Sequence, residues 1–171
     1  MTFQLAQQIA EMVDEAANLY HRLVLVVGSS QSGKSFVMHE LQDACGWPLV
    51  NVNLSLSERL LELTNRQRAL KVAILLDDIC KEYSSETVLL DNTEILFLNS
   101  LKQDPLRLLQ NLARNRTIVA SWSGTYASRS LRHGDVDHPE FRHYDDAKAL
   151  IILAERGALS NKTAWNQDHP S

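Results

Sequence analysis

The sequence predicts an α/β fold of three layers, with helices on both faces of a mainly parallel sheet. Three observations carry that expectation. Leu23–Val27 is an unbroken apolar run that stops at Gly28, the pattern of a strand buried on both faces. Short apolar runs recur at Val88–Leu90, Thr117–Ser121 and Ala149–Leu153. Between them lie stretches whose apolar residues fall at helical spacing.

Taken in order, Leu5, Ile9, Met12, Val13 and Ala16 mark residues 1–20 as an amphipathic lead-in helix, expected to pack on the sheet of its own domain. Acids at Glu11, Asp14 and Glu15 are unlike a secretory leader. After the first strand, Val37, Leu41, Ala44 and Cys45 are expected to share a helical face, with Gly46 as the stop and Pro48 beyond it. Asn51-Val-Asn53 is read as the end of the second strand. Ser55-Leu-Ser-Glu58 then has the form of a capping box, opening a helix that carries Leu60, Leu61 and Leu63. Val72, Leu75, Leu76, Ile79, Cys80 and Tyr83 form one face of a further helix, which leaves Asp77, Asp78, Lys81 and Glu82 on the solvated side. Asp104-Pro105 supplies a cap and a first-turn proline for a helix with Leu108, Leu109 and Leu112 inward. Gly134 and Pro139 mark the stretch from His133 to His143 as a loop or irregular hairpin. The main domain is expected over residues 21–155. A C-terminal extension, 156–171, would follow, solvated and mobile towards its end.

Composition bounds the function. The chain has 171 residues, enough for one domain, and its 44% hydrophobic and 22% charged content is that of a globular protein. A net charge of −4 excludes a nucleic-acid binder that uses its whole surface, though not a local basic patch. Lys102, Arg107, Arg114, Arg116, Arg129 and Arg132 are scattered cations, so any DNA contact should be weak and salt-dependent. No apolar run approaches the ~20 residues of a membrane span. Cys45 and Cys80 fit no metal spacing and suit a reducing, cytoplasmic setting. His133, His138 and His143 invite a metal reading together with Asp135, Asp137 and Glu140, but their five-residue spacing misses the usual ligand pairings.

The chemistry concentrates in Gly28-Ser29-Ser30-Gln31-Ser32-Gly33-Lys34-Ser35, followed by Phe36. This is a complete G-x4-G-K-S motif between a strand and a helix, the setting that a phosphate-binding loop requires. The glycines allow successive N–H groups to face phosphate oxygens, and the helix adds its positive N-terminal end. Lys34 is expected to neutralise β- and γ-phosphates, and Ser35 to place its hydroxyl on Mg²⁺.

A second metal ligand should end a neighbouring strand, and two acids compete for that place. Val72–Asp78 has the look of a Walker B strand, but its period is helical. Val88–Leu90 ends at Asp91, and the cap at Asp104, the helix after it and the strand at Thr117 then make one ordinary crossover. Asp91 is therefore the expected Mg²⁺ ligand. The next residue is Asn92, which cannot accept a proton. Glu94 is left either to orient a water or to cap local backbone. Ser121 and Ser123, at the end of the strand expected between the two catalytic strands, are candidate γ-phosphate sensors. Arg114 and Arg116 are candidates for an arginine finger in trans, or simply cations at a helix C-terminus.

Leu89–Phe97, Lys102–Leu109, Leu112–Trp122 and His138–Phe141 resemble the BrxF family, small P-loop proteins of bacterial BREX (bacteriophage exclusion) systems. In those systems a site-specific DNA methyltransferase marks host DNA while other components block phage replication. The likeness runs over about residues 20 to 153. It implies a P-loop NTPase fold with an AAA+-like core and no helical lid domain, and ATP and Mg²⁺ as cofactors. It also implies an accessory, switch-like role alongside other BREX components and DNA, with self-association left open. Its D-N-x-E pattern falls on Asp91–Glu94. The missing D-E pair leaves ATP hydrolysis slow or completed by a partner. Two other functions compete: a nucleotide-stabilised scaffold without turnover, and a small-molecule phosphotransferase. The neutral Asn51 and Asn53 count against the phosphotransferase.

Overall fold

A computed structural model describes residues 2–154. Residue 155 and the predicted extension, 156–171, lie outside the described residues. The elements are α1 (Thr2–Ala16), β1 (Leu23–Gly28), α2 (Lys34–Cys45), β2 (Leu49–Asn51), α3 (Val52–Leu60), α4 (Asn65–Lys81) and β3 (Thr87–Asp91). After two short 3₁₀ turns, Thr93–Phe97 and Asn99–Leu101, come α5 (Pro105–Leu112), β4 (Thr117–Ser123), β5 (Thr125–Ala127), β6 (Ser130–His133), β7 (Arg142–Asp145) and β8 (Leu150–Leu153).

The main sheet has five strands in the order β2-β3-β4-β1-β8, and every pairing in it is parallel. Alternate residues of β1 feed two cores. Val24 and Val26 face α1 and α2, while Leu23, Leu25 and Val27 face the side built from α3, α4 and α5. This is the three-layer α/β arrangement that double-sided burial requires. Helix α1 belongs to the core and is not an appendage: Ile9 and Ala16 are fully buried, and Leu5, Met12 and Val13 lie with them. Among the described residues no helix is long and apolar enough to cross a membrane.

Local chemistry sets most boundaries. Gly46 ends α2 in the left-handed region, at φ 71°. Thr64 and Gln67 form a reciprocal capping box for α4, and the Asp104 carboxylate accepts from the Arg107 N–H at the start of α5. Three expectations need correction. Helix α3 begins at Val52, because Asn51 caps it by accepting from the Leu54 N–H, so Asn53 and the expected box at Ser55 lie inside the helix. In α2 the inward set is Val37, Met38 and Leu41, whereas Ala44 is exposed and Cys45 half-buried. Leu61 and Tyr83 turn outward. The stretch with Gly134 and Pro139 is the loop of an antiparallel hairpin, β6-β7, and β5 pairs with β6 to complete a small sheet of order β5-β6-β7.

Candidate functional site

The glycine-rich loop leaves the C-terminal end of β1. Its two motif glycines are needed for different reasons. A Cβ on Gly28 would stand 2.3 Å from Ser32 Oγ, because Ser32 folds back under the loop, donating from N (3.1 Å) and Oγ (2.8 Å) to the Ser29 carbonyl. Gly33 has φ 91°, a conformation that side-chain-bearing residues rarely adopt, and it directs the chain into α2. Ser29, Ser30 and Gln31 are exposed along the loop, as are Ser35 and Phe36 in the first turn of α2. Lys34 is buried. Its ammonium donates to the carbonyls of Gly28 (3.0 Å) and Ser29 (2.5 Å), so it lies within the curl of the loop. His39 Nδ1 donates to the Ser35 carbonyl (2.8 Å), one turn back along the helix.

Strand β4 lies between β1 and β3, which brings the separated candidates to one edge of the sheet. Ser123 stands in register with Gly28, and the Gly124 N–H donates to the Gly28 carbonyl (3.0 Å). Asp91 ends β3 and is only 6% exposed; among the described residues no hydrogen bond or ion pair ends on its carboxylate. Asn92 follows with φ 54°, a left-handed position that asparagine tolerates better than glutamate, and the chain then enters the 3₁₀ turn. That turn is fastened to β4 in two places. Thr93 Oγ1 donates to the Ser121 carbonyl (2.6 Å), and Ser123 Oγ donates to the Glu94 carboxylate (2.5 Å). Of the two serines proposed as sensors, Ser121 is buried and Ser123 is the one whose hydroxyl meets an acid.

The small sheet is clamped onto this same edge. Trp122 Nε1 donates to the Arg132 carbonyl (3.1 Å), and His133 Nδ1 donates to the Ser123 carbonyl (2.5 Å). The backbone of Gly124 approaches Arg132 so closely that a Cβ there would lie 1.8 Å from the carbonyl oxygen. Gly124 does not stand out in the sequence and His133 does so only as a metal candidate, since the contacts depend on a sheet whose strands are too short to show a period.

The other candidates lie apart. Arg114 and Arg116 precede β4, at the opposite edge of the sheet from the loop. Arg116 is buried and donates to the Leu112 carbonyl (3.1 Å) and to Asp77 (2.9 Å), so its guanidinium is used within the chain and is not presented as a finger. Arg114 stacks over the Tyr20 ring at 4.8 Å. Asp77 lies on α4, as the helical period predicts, but it is half-buried between Lys81 and Arg116 and is not simply solvated. Burial alone would raise its pKa; hydrogen bonds from Lys81 and Arg116 outweigh that and leave it below the usual carboxylate range.

His143 pairs with Asp145 (3.1 Å), and His138 Nδ1 accepts from the Glu140 N–H (3.1 Å). Among the described residues no three His, Cys, Asp or Glu converge as a metal cage. Two clefts lie away from the loop: one of 540 Å³ between α1 and α2, lined by Ala6, Ala10, Leu41 and Cys45, and one of 290 Å³ between α4 and α5, lined by Asp77, Arg107 and Asn111. Comparisons with protein-family models, with curated proteins and with solved structures found no match.

Proposed function

We propose that the loop Gly28–Ser35 binds the phosphates of ATP with Mg²⁺, and that the chain works as a nucleotide-dependent switch. The observation that carries this reading is the meeting, at one sheet edge, of a complete phosphate-loop motif and a buried, unpaired carboxylate. Gly28 and Ser123 are in register, and Asp91 ends the strand on the far side of β4. A carboxylate at a strand end beside the loop, with no cation among the described residues bound to it, is a ready oxygen ligand for a divalent ion. The residues fit the group: Lys34 and the loop N–H groups toward phosphate, Ser35 and Asp91 toward Mg²⁺. Mg²⁺ supplies charge neutralisation on the β- and γ-oxygens.

Glu94, with Ser123 donating to it, is the acid placed to orient a water, and Ser123 the hydroxyl placed to answer a γ-phosphate. In this reading the resemblance of residues 20–153 to BrxF puts the chain in a BREX defence complex, where its partners are other BREX components and DNA. Asn92 supports a second reading, a nucleotide-stabilised scaffold, because its left-handed backbone occupies the place where many ATPases carry a catalytic acid. A phosphotransferase is disfavoured, since the Asn51 side chain is spent on capping α3.

Calorimetry with ATP and Mg²⁺ tests the core of the proposal. Lys34→Ala should abolish tight binding, and unchanged affinity would overturn the phosphate-loop reading. Phosphate release by the purified protein, alone and then with DNA, separates switch from scaffold.

A further inference from the structure

The candidate acid is held in a closed ring of contacts that crosses three elements. Ser123 Oγ donates to Glu94 (2.5 Å), and the Ser123 carbonyl accepts from His133 Nδ1 (2.5 Å). The His133 ring in turn stacks on Phe97, with centroids 3.6 Å apart and planes 20° from parallel. Phe97 closes the ring, since it ends the same 3₁₀ turn that begins at Thr93 and carries Glu94. A carbonyl only accepts, so the proton on His133 must sit at Nδ1. Burial holds the imidazole below its ordinary pKa even against the Ser123 carbonyl, which favours a neutral ring in that tautomer.

We propose that His133 is a positioning residue for the nucleotide site: by donating to the Ser123 carbonyl, it aims the Ser123 hydroxyl along the sheet edge between Glu94 and the loop at Gly28. The inference rests on the phosphate-loop reading above and deepens it. The register leaves Ser123 beside the first residue of the loop, so its hydroxyl has two acceptors within its reach in that reading, the Glu94 carboxylate and a terminal phosphate. His133 comes from β6, in the small sheet that Gly124 and Trp122 hold against β4. A partner that shifts this sheet would therefore change the aim of Ser123 and the freedom of Glu94 without touching the phosphate loop.

The test is calorimetry of ATP and ADP, each with Mg²⁺, on the wild type, His133→Phe, His133→Asn and Ser123→Ala. Phenylalanine keeps the stack on Phe97 and removes the donor; asparagine keeps a donor at the Nδ1 position and removes the ring. His133→Phe and Ser123→Ala should lower the preference for ATP over ADP about tenfold, the worth of one hydrogen bond to a charged group, with ADP affinity unchanged. His133→Asn should retain most of the preference. A wild-type ratio in His133→Phe, or an equal loss in His133→Asn, would overturn the positioning role. A wild-type chain that binds neither nucleotide would overturn the phosphate-loop reading, and the role of His133 with it. Melting curves on each variant exclude unfolding as the cause of a loss.

Discussion

Asp77 and Asp91 can be exchanged for asparagine with opposite expected results, and the structure sets the size of each. Asp77 accepts from Arg116, whose side chain is 9% exposed, while Asp77 itself is 27% exposed. Breaking a fully buried ion pair costs about 3–5 kcal/mol, because a charge is left buried without a partner. Here the loss is smaller. Asparagine retains an acceptor oxygen, Arg116 keeps the Leu112 carbonyl, and water reaches the carboxylate side. Asp77→Asn should therefore cost about 1–2 kcal/mol and lower the melting temperature by about 2–8 °C.

The pH dependence of this pair has a definite sign. The folded pKa of Asp77 lies below its unfolded value, so the pair stabilises above about pH 4 and the contribution fades as pH falls through the folded pKa. The gap between wild type and Asp77→Asn should thus be full at pH 7 and close in acid. Thermal melts across pH 2.5–7, paired with nucleotide calorimetry at neutral pH, measure both effects; Asp91→Asn should weaken Mg²⁺-dependent binding with the fold retained. Unchanged stability in Asp77→Asn, or loss of nucleotide binding there with Asp91→Asn silent, would refute the placement of the two acids.

Gly28→Ala should weaken nucleotide binding by deforming the loop against Ser32, and Ser32→Gly in the same chain should restore part of it, as titration calorimetry would show. Gly124→Ala forces a Cβ onto the Arg132 carbonyl and should destabilise by about 1–3 kcal/mol, with denaturant melts as the measure. Burial pushes the Cys80 thiol up to about 11, so its neutral form stabilises the fold below about pH 8.5 and that contribution is lost as pH rises towards 11. Native protein at pH 8 should accordingly react with a thiol reagent at Cys45 and at Cys80 only after unfolding, a difference that peptide mapping would resolve.

The strands and helices that carry the site were legible because each has a strong local signal. The unbroken run before Gly28 marks β1, and the helical period from Val72 to Cys80 removes Asp77 from the strand set and leaves Asp91. Where the signal is short or non-local, local pattern does not report the fold. A three-residue β2 shows no period, and the motif at Ser55 competes with an equally good cap at Asn51 three residues before Leu54. The small sheet has strands of three and four residues with exposed and half-buried positions alternating in β5 and β7, which resembles a polar loop beside Gly134 and Pro139. Arg116 meeting Asp77, and His133 meeting Ser123, depend on how elements stack, and no periodicity reports that.

The central position of β1 has a consequence for the life of the chain before it is folded. Both neighbours of β1 are synthesised late: Leu23 waits for Ile118 on one side, and Val24 for Leu150 on the other. At ribosomal rates of about 5–20 residues per second, this apolar segment emerges several seconds before either neighbour exists. During that interval its unpaired backbone edges are a template for the wrong strand. Helix α1, made just ahead of it and apolar on one face, is the only native cover among the described residues that is already present. Shielding the nascent Leu23–Val27 segment is then a second task for a helix that in the finished protein packs against the sheet and α2, and the cell's holding chaperones would share it.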